Sequence, residues 1–222
     1  MQFECFKIHL LYEGVMKKYL IICIAVSLFA TFTYSNASAA YQDTNFTVLL
    51  GIDILGTGKM EQGSVSDSED VETGITPGIE GRIHLQQQVS LGLGIRYQVP
   101  RERDEENADE FSFMPVYGIF QFNIPTGPEM NFGFVAHLGY NFFFSDLDNL
   151  EKELSATAAK KITLDTEGGL YWGVGARITL ANNVTIEALY NINYGTITIE
   201  PSGYKDIDVT YKKLTLAVGF SF

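Results

Sequence analysis

Few residues in this 222-residue chain are equipped to do chemistry. Both cysteines, Cys5 and Cys23, lie near the N-terminus, so beyond residue 40 there is no thiol for a disulfide, a thiolate metal site or a nucleophile. Two histidines remain there, His84 and His137. An acyl-transfer or hydrolytic site needs a nucleophile and a base grouped together. Neither histidine starts an H-x-S pattern or lies in a loop, so both read as structural, with no catalytic residue assigned. "GLGIR" (92–96) and "GVGARI" (173–178) look superficially like phosphate-binding loops, but each sits inside an alternating segment with no helix after it. "DSEDVE" (67–72) lacks the glycine and terminal glutamate of a calcium loop. No metal and no cofactor is expected. What remains is ionic: Asp53, Glu80, Arg82, Arg96, Arg177, Glu187 and Lys213, few and near balance in sign. The chemistry open to such a set is charge pairing.

The segments carrying those charges alternate with a period of two. Eight can be marked: 45–56, 77–86, 88–99, 111–124, 130–143, 168–180, 184–199 and 208–222. In the sixth, Leu170, Trp172, Val174, Ala176, Ile178 and Leu180 share one face, against Tyr171, Gly173, Gly175, Arg177 and Thr179 on the other. A soluble barrel turns its apolar face inward and covers its outside with charge. Here the non-apolar face is mostly glycine and small polar residues, too sparsely charged for a solvated exterior. The pattern fits a barrel whose outside meets hydrocarbon and whose narrow inside is packed by side chains. An arginine facing lipid at the midplane costs about 2–4 kcal/mol, so the charges belong inside.

Composition narrows the partners. The formal net charge is −12, which argues against nucleic acid, whose phosphates demand a basic face. With 16 phenylalanines, 12 tyrosines and 21 glycines, the chain suits strands and turns rather than a helical bundle. The N-terminal stretch "MKKYLIICIAVSLFATFTYSNASA", beginning at Met16, has two lysines, an apolar run and a small-residue cleavage site at Ala37-Ser38-Ala39. Its apolar run is shorter than the roughly 20 residues that span a bilayer. Residues 1–39 therefore read as an N-terminal extension plus a cleaved secretory signal, with Met16 as the better start, and 40–222 as the barrel domain.

Connections between the segments alternate: long at 57–76, tight at Gln87, long at 100–110, short at 125–129, long at 144–167, tight at 181–183 and moderate at 200–207. Outer-membrane barrels place short turns on the periplasmic side and longer loops outside. The chain then enters and leaves at the periplasmic rim, where the last segment, "KLTLAVGFSF", lies beside the first and removes both sheet edges. Phe46, Phe120, Phe122, Phe132, Phe220 and Phe222 fall near that rim, and Tyr97, Tyr140, Phe142, Trp172 and Tyr194 near the other, as two interfacial girdles.

The signal segment, the eight alternating stretches and the terminal "GFSF" together resemble the small outer-membrane β-barrel proteins of Gram-negative bacteria, the opacity-type and OmpX/OmpW-like surface proteins. The resemblance implies an all-β, eight-stranded antiparallel up-and-down transmembrane barrel in the outer membrane, with short periplasmic turns and four longer external loops. It also implies that Phe222 is the signal read by the barrel-assembly machinery, and that the surroundings are outer-membrane lipid and lipopolysaccharide.

Parity adds detail. The tight turn at 181–183 places Arg177 opposite Glu187, a lumen ion pair around which Arg82, Glu80, Arg96, Asp53 and Lys213 complete a network, with Gly92, Gly94, Gly173 and Gly175 leaving room for arginine side chains. Acidic charge gathers in "EQGSVSDSEDVE" (61–72) and "RERDEENADE" (101–110). Those runs suit bridging of divalent cations to anionic lipid or capture of a basic host protein. In the loop beyond residue 144, Leu147, Leu150 and Leu154 at helical spacing after Asp146 predict a short surface helix. The expected role is a non-enzymatic surface protein, structural or adhesive, recognising through its acidic loops. A small channel or carrier for ions or apolar solutes is the alternative, and a lipid-modifying enzyme a third.

Overall fold

The computed structural model describes residues 44–222, apart from 87, 101–109, 128, 148, 149, 153, 156–160 and 201–203. The extension and signal segment (1–39) and the acidic run 101–109 lie outside the described residues. Nine strands follow in chain order: β1 Thr44–Gln62, β2 Val65–Val71, β3 Gly74–Gln86, β4 Val89–Arg96, β5 Phe111–Pro125, β6 Met130–Ser145, β7 Thr163–Leu180, β8 Val184–Glu200 and β9 Ile207–Ser221. Each pairs antiparallel with its neighbours in the order β2-β1-β3-β4-β5-β6-β7-β8-β9, and β9 returns to β1. The result is a closed ring of eight walls. β2 and β3 make a single wall, since β3 pairs with β1 from Thr44 to Asp53 and β2 takes over from Gly56 to Gln62.

Closure depends on the pairing of β1 with β9. Phe222 N–H donates to Phe46 O at 2.8 Å and Phe46 N–H to Phe222 O at 3.3 Å, and the ladder continues upward from Thr47 opposite Ser221 to Glu61 opposite Asp208. Among the described residues no ring strand is left with an unpaired edge in the membrane, where each orphaned backbone group would cost on the order of several kcal/mol.

The alternation decides which side chains enter the ring. Leu138 is 64 % exposed on the outer wall, while its chain neighbour His137 is 2 % exposed inside. Leu50, Ile52, Phe120, Phe134, Leu170, Val174, Leu216 and Val218 are exposed on the same outer band. Such a greasy surface on a closed barrel suits acyl chains, not water.

Beyond this band the structure departs from the loop pattern. The segment 57–76, expected as a long loop, is mostly strand: β1 runs on to Gln62, turns through Gly63 and Ser64, and returns as β2. Gly63 takes φ +63°, the left-handed conformation that glycine adopts without penalty. The hairpin escaped the alternation rule because outside the membrane neither face needs to be apolar, so pairing continues while the hydrophobic signal fades. Its base is marked by a bulge between Ile54 and Thr57 in the β1–β9 ladder, where Leu55 has φ +53°. Bulges of this kind bend a strand and sharpen its twist.

Inside the external end lies an apolar layer of Val71, Phe113, Phe143, Leu147, Ile162, Leu164, Ile197, Ile199, Val209 and Tyr211. The loop after β6 closes over it. Residues 150–152 and 154–155 are helical, as the leucine spacing predicts, but Leu147 is buried and Leu150 and Leu154 pack on the layer, so the turn is a cover rather than a surface ornament. It is tied down where Leu164 N–H donates to Glu151 Oε1 at 2.7 Å and Ile162 N–H to Ser155 Oγ at 2.9 Å.

Candidate functional site: a filled lumen beneath an acidic rim

All seven charged residues named from the sequence are buried on inward-facing positions, and they fall into two groups with one outlier. The larger group is a quartet of alternating charge. Arg96 at the end of β4 places Nη2 2.9 Å from Glu80 Oε1 and 2.5 Å from Glu187 Oε1. Arg177 on β7 places Nη2 2.6 Å from Glu80 Oε2, and both its Nε, at 2.9 Å, and its Nη2 bond Glu187 Oε2. Arg177 and Glu187 are directly opposed in the β7–β8 ladder. β4 and β8 are four walls apart in a ring of eight, as are β3 and β7, so Arg96–Glu187 and Arg177–Glu80 are two struts crossing the barrel. Every carboxylate oxygen has a donor, the condition under which a buried charge network is tolerated.

The geometry also required an unassigned residue. Tyr117 on β5 accepts from Arg96 Nε at 2.8 Å and donates to Glu80 Oε1 at 3.0 Å. Its ring lies where a Cβ on Gly94 would come within 2.7 Å, and a Cβ on Gly92 would stand 2.4 Å from the Gly81 carbonyl and 2.6 Å from Arg82 Cγ. Those two glycines make space for Tyr117 and Arg82. Gly173 and Gly175 instead face Asn191 and the backbone of β8. An inward tyrosine directly opposite Gly94 of the glycine-rich β4 was the available signal, masked by the general abundance of tyrosine in strands.

The second group is Asp53 on β1 with Lys213 on β9, which form an ion pair. Thr76 Oγ1 donates to Asp53 Oδ2 at 2.5 Å and Thr215 Oγ1 to Oδ1 at 2.6 Å. Arg82 is the outlier. Its guanidinium bonds neutral partners, Gln121 Oε1 and Thr47 Oγ1, each at 2.8 Å.

The histidines divide likewise. His137 stacks on Tyr117, with ring centroids 4.4 Å apart, and has no hydrogen-bond partner on either nitrogen among the described residues. One of its nitrogens and a carboxylate oxygen each from Glu80 and Glu187 lie within 4.8 Å of one another, the spacing of a loose metal triad. A cation placed there would compete with two guanidinium groups already bound to both carboxylates, so the donor set does not fit a metal. His84, read from the sequence as having no nucleophile beside it, stands 2.7 Å from Ser90 Oγ through Nδ1 because the β3–β4 register pairs the two positions. That serine is fully buried and also accepts from Asn123 Nδ2 at 3.0 Å, while the other histidine nitrogen meets the Asn45 amide at 3.0 Å rather than a carboxylate. A serine buried to this degree is out of reach of a bulky substrate.

Above the ions, aromatic rings cross the barrel. Phe113 on β5 stacks on Phe143 at 4.8 Å and lies nearly parallel to Tyr211 on β9 at 6.0 Å; β5 and β9 are again four walls apart. Past this layer stands the β1–β2 hairpin, with Glu61, Asp67, Asp70 and Glu72 exposed and Glu69 half-buried. Lys59 is paired with Glu61 at 2.7 Å.

Known proteins with this architecture can now be set beside it. No curated protein matches the chain. Among solved structures, Neisserial surface protein A is 16 % identical, with 80 % of this chain and 97 % of that one covered and a TM-score of 0.46. OprG from Pseudomonas aeruginosa is 12 % identical, with 82 % and 97 % covered and a TM-score of 0.47. Ail of Yersinia pestis is 14 % identical, with 81 % and 99 % covered and a TM-score of 0.43. The profile of the outer membrane protein beta-barrel domain matches residues 22–222. The chain thus belongs to the outer membrane protein beta-barrel family of Gram-negative bacteria, and the outer membrane is where it resides.

Proposed function

We propose that this protein is a non-enzymatic surface component, structural or adhesive, in which the barrel is a rigid anchor and the acidic external rim carries recognition of a basic partner. The observation that carries the reading is the β1–β2 hairpin, which holds Glu61, Asp67, Glu69 and Asp70 on a paired ribbon beyond the membrane band, with exposed Glu72 directly after it. Recognition elements commonly sit on such projections from a stable scaffold. The crossing struts and the aromatic layer support the same reading, because a barrel of eight strands has an interior just wide enough for side chains to fill.

Cells carrying the protein should retain polylysine-coated beads, and a variant with Glu61, Asp67, Asp70 and Glu72 changed to their amides should not. Retention should fall steeply with salt, since exposed charges are screened over about 8 Å at physiological ionic strength. Retention unchanged by the substitutions overturns the recognition role. Unitary conductance steps from the purified protein in a planar bilayer indicate a passage instead, and altered lipid A in a deletion strain indicates an enzyme.

A further inference from the structure

At the centre of the lumen one side chain stands outside the hydrogen bonding that surrounds it. His137 on β6 is buried and stacks on Tyr117, yet neither ring nitrogen has a partner among the described residues. Whatever its protonation, an imidazole carries at least one N–H. A buried donor without an acceptor is costly, and native interiors rarely keep one. Acceptors stand close by. One oxygen of Glu80 and one of Glu187 lie within 4.8 Å of a His137 nitrogen and of each other, with no direct bond to the ring. An oxygen atom bonded to three groups at about 2.8 Å, in tetrahedral directions, holds them about 4.6 Å apart. Polar groups at such a separation are commonly joined through a water.

The remaining bonding capacity agrees. A carboxylate offers about four lone-pair sites. Glu80 accepts from Arg96 Nη2, Tyr117 Oη and Arg177 Nη2, which leaves about one. Glu187 accepts from Arg96 Nη2 and from both Nε and Nη2 of Arg177, which also leaves about one. Two acceptor sites and one N–H donor therefore remain at the same point. Only a group that donates twice and accepts once completes all three. An ammonium or guanidinium accepts nothing, a halide donates nothing, and a metal ion does neither. A water does both. Packing limits the size as well. Across its two ladders His137 has Ile119 on one side and Gly173 on the other. Ile119 is buried, and a Cβ on Gly173 would already stand 3.1 Å from Asn191 Cβ and 3.2 Å from the Tyr190 carbonyl. Such walls suit an occupant of one non-hydrogen atom.

We infer that the barrel binds one internal water at this point, which donates to Glu80 and Glu187 and accepts from the His137 N–H. The water carries the ionic network to β6. Its other members come from β3, β4, β5, β7 and β8, so six consecutive walls are joined through the axis, beside the Asp53–Lys213 pair that joins β1 to β9. This site is independent of the acidic rim.

The test is a crystal structure of the refolded barrel at a resolution that shows ordered waters, together with water–protein cross-relaxation of the ¹⁵N-histidine-labelled barrel in nanodiscs. One density peak is expected at about 2.7–3.2 Å from a His137 nitrogen and from one oxygen of each glutamate. The His137 imidazole N–H, assigned with the help of His84→Gln, should be protected from bulk exchange and cross-relax with a bound water. The peak should be lost in His137→Phe, which keeps a ring on Tyr117 but has no N–H. A direct bond between His137 and either glutamate, no density between them, a peak that persists in His137→Phe, or an N–H that exchanges freely with bulk would each overturn the water. Contacts of about 2.0–2.2 Å to all three groups, the lengths of a metal site, would do the same. The wild-type measurements decide between these outcomes even where the variant fails to fold.

Discussion

Arg96 on β4 and Glu187 on β8 meet at 2.5 Å although 91 residues and the full width of the barrel separate them. With Arg177 and Glu80 they tie four of the eight walls together through the axis. Removing one member of a buried ion group leaves its partners charged and unpaired, which costs about 3–5 kcal/mol. Glu187→Ala and Arg177→Ala should each lower stability by that order, measured as the shift in urea midpoint of the refolded barrel. A loss below about 1 kcal/mol, the worth of an exposed pair, would contradict the quartet.

Charge reversal at the same positions should show the group to be a quartet and not a pair. Arg177→Glu with Glu187→Arg restores one attraction, but the new glutamate faces Glu80 and the new arginine faces Arg96. The double variant should recover only part of the stability lost by either single reversal. Full recovery in a thermal melt would mean that Arg177 and Glu187 act alone.

Glycines on the two faces of the wall, inward Gly94 and outward Gly118, should be unequal in their tolerance. A Cβ at Gly94 would stand 2.7 Å from the Tyr117 ring, while one at Gly118 would come no nearer than 3.7 Å to the Leu138 carbonyl. Overpacking costs typically about 1–3 kcal/mol, so Gly94→Ala should destabilise by that amount and Gly118→Ala by much less. Reversed ranking in denaturant titrations would move Tyr117 out of the lumen.

Membrane orientation makes its own demand. Leu138, in the middle of β6, is 64 % exposed on the outer wall. Leu138→Arg should cost about 2–4 kcal/mol in lipid vesicles, whereas arginine at exposed Glu61 on the hairpin should be nearly neutral. An equal response at both sites in vesicle unfolding would deny that one faces hydrocarbon and the other water.

The terminal phenylalanine separates assembly from stability. Its backbone is bonded to Phe46 in both directions, while its side chain is 70 % exposed. Phe222→Ala keeps those bonds, so refolding in vitro should change little. If the ring is read during assembly, the folded fraction recovered from cell envelopes should fall several-fold. Equal yields from cells would remove that role.

Much of this was legible in the chain itself because a barrel in lipid obeys a strict local rule. Every second residue must be apolar where the wall meets hydrocarbon, and every backbone group must pair, so strand number, facing and closure follow from parity and turn spacing. Arg177 opposite Glu187 follows from the three-residue turn between β7 and β8, which sets that register alone. Parity says which residues point inward but not which meet across the axis, because that depends on strand tilt and stagger around the ring. So Arg96–Glu187, Arg177–Glu80 and the role of Tyr117 came only from the tertiary structure, as did the neutral partners of Arg82 and the serine beside His84. The rule also lapses where the membrane ends. The hairpin beyond Gly56 and the leucines packed over the mouth lie where water frees both faces of a strand, and there long-range packing, not local alternation, decides the fold.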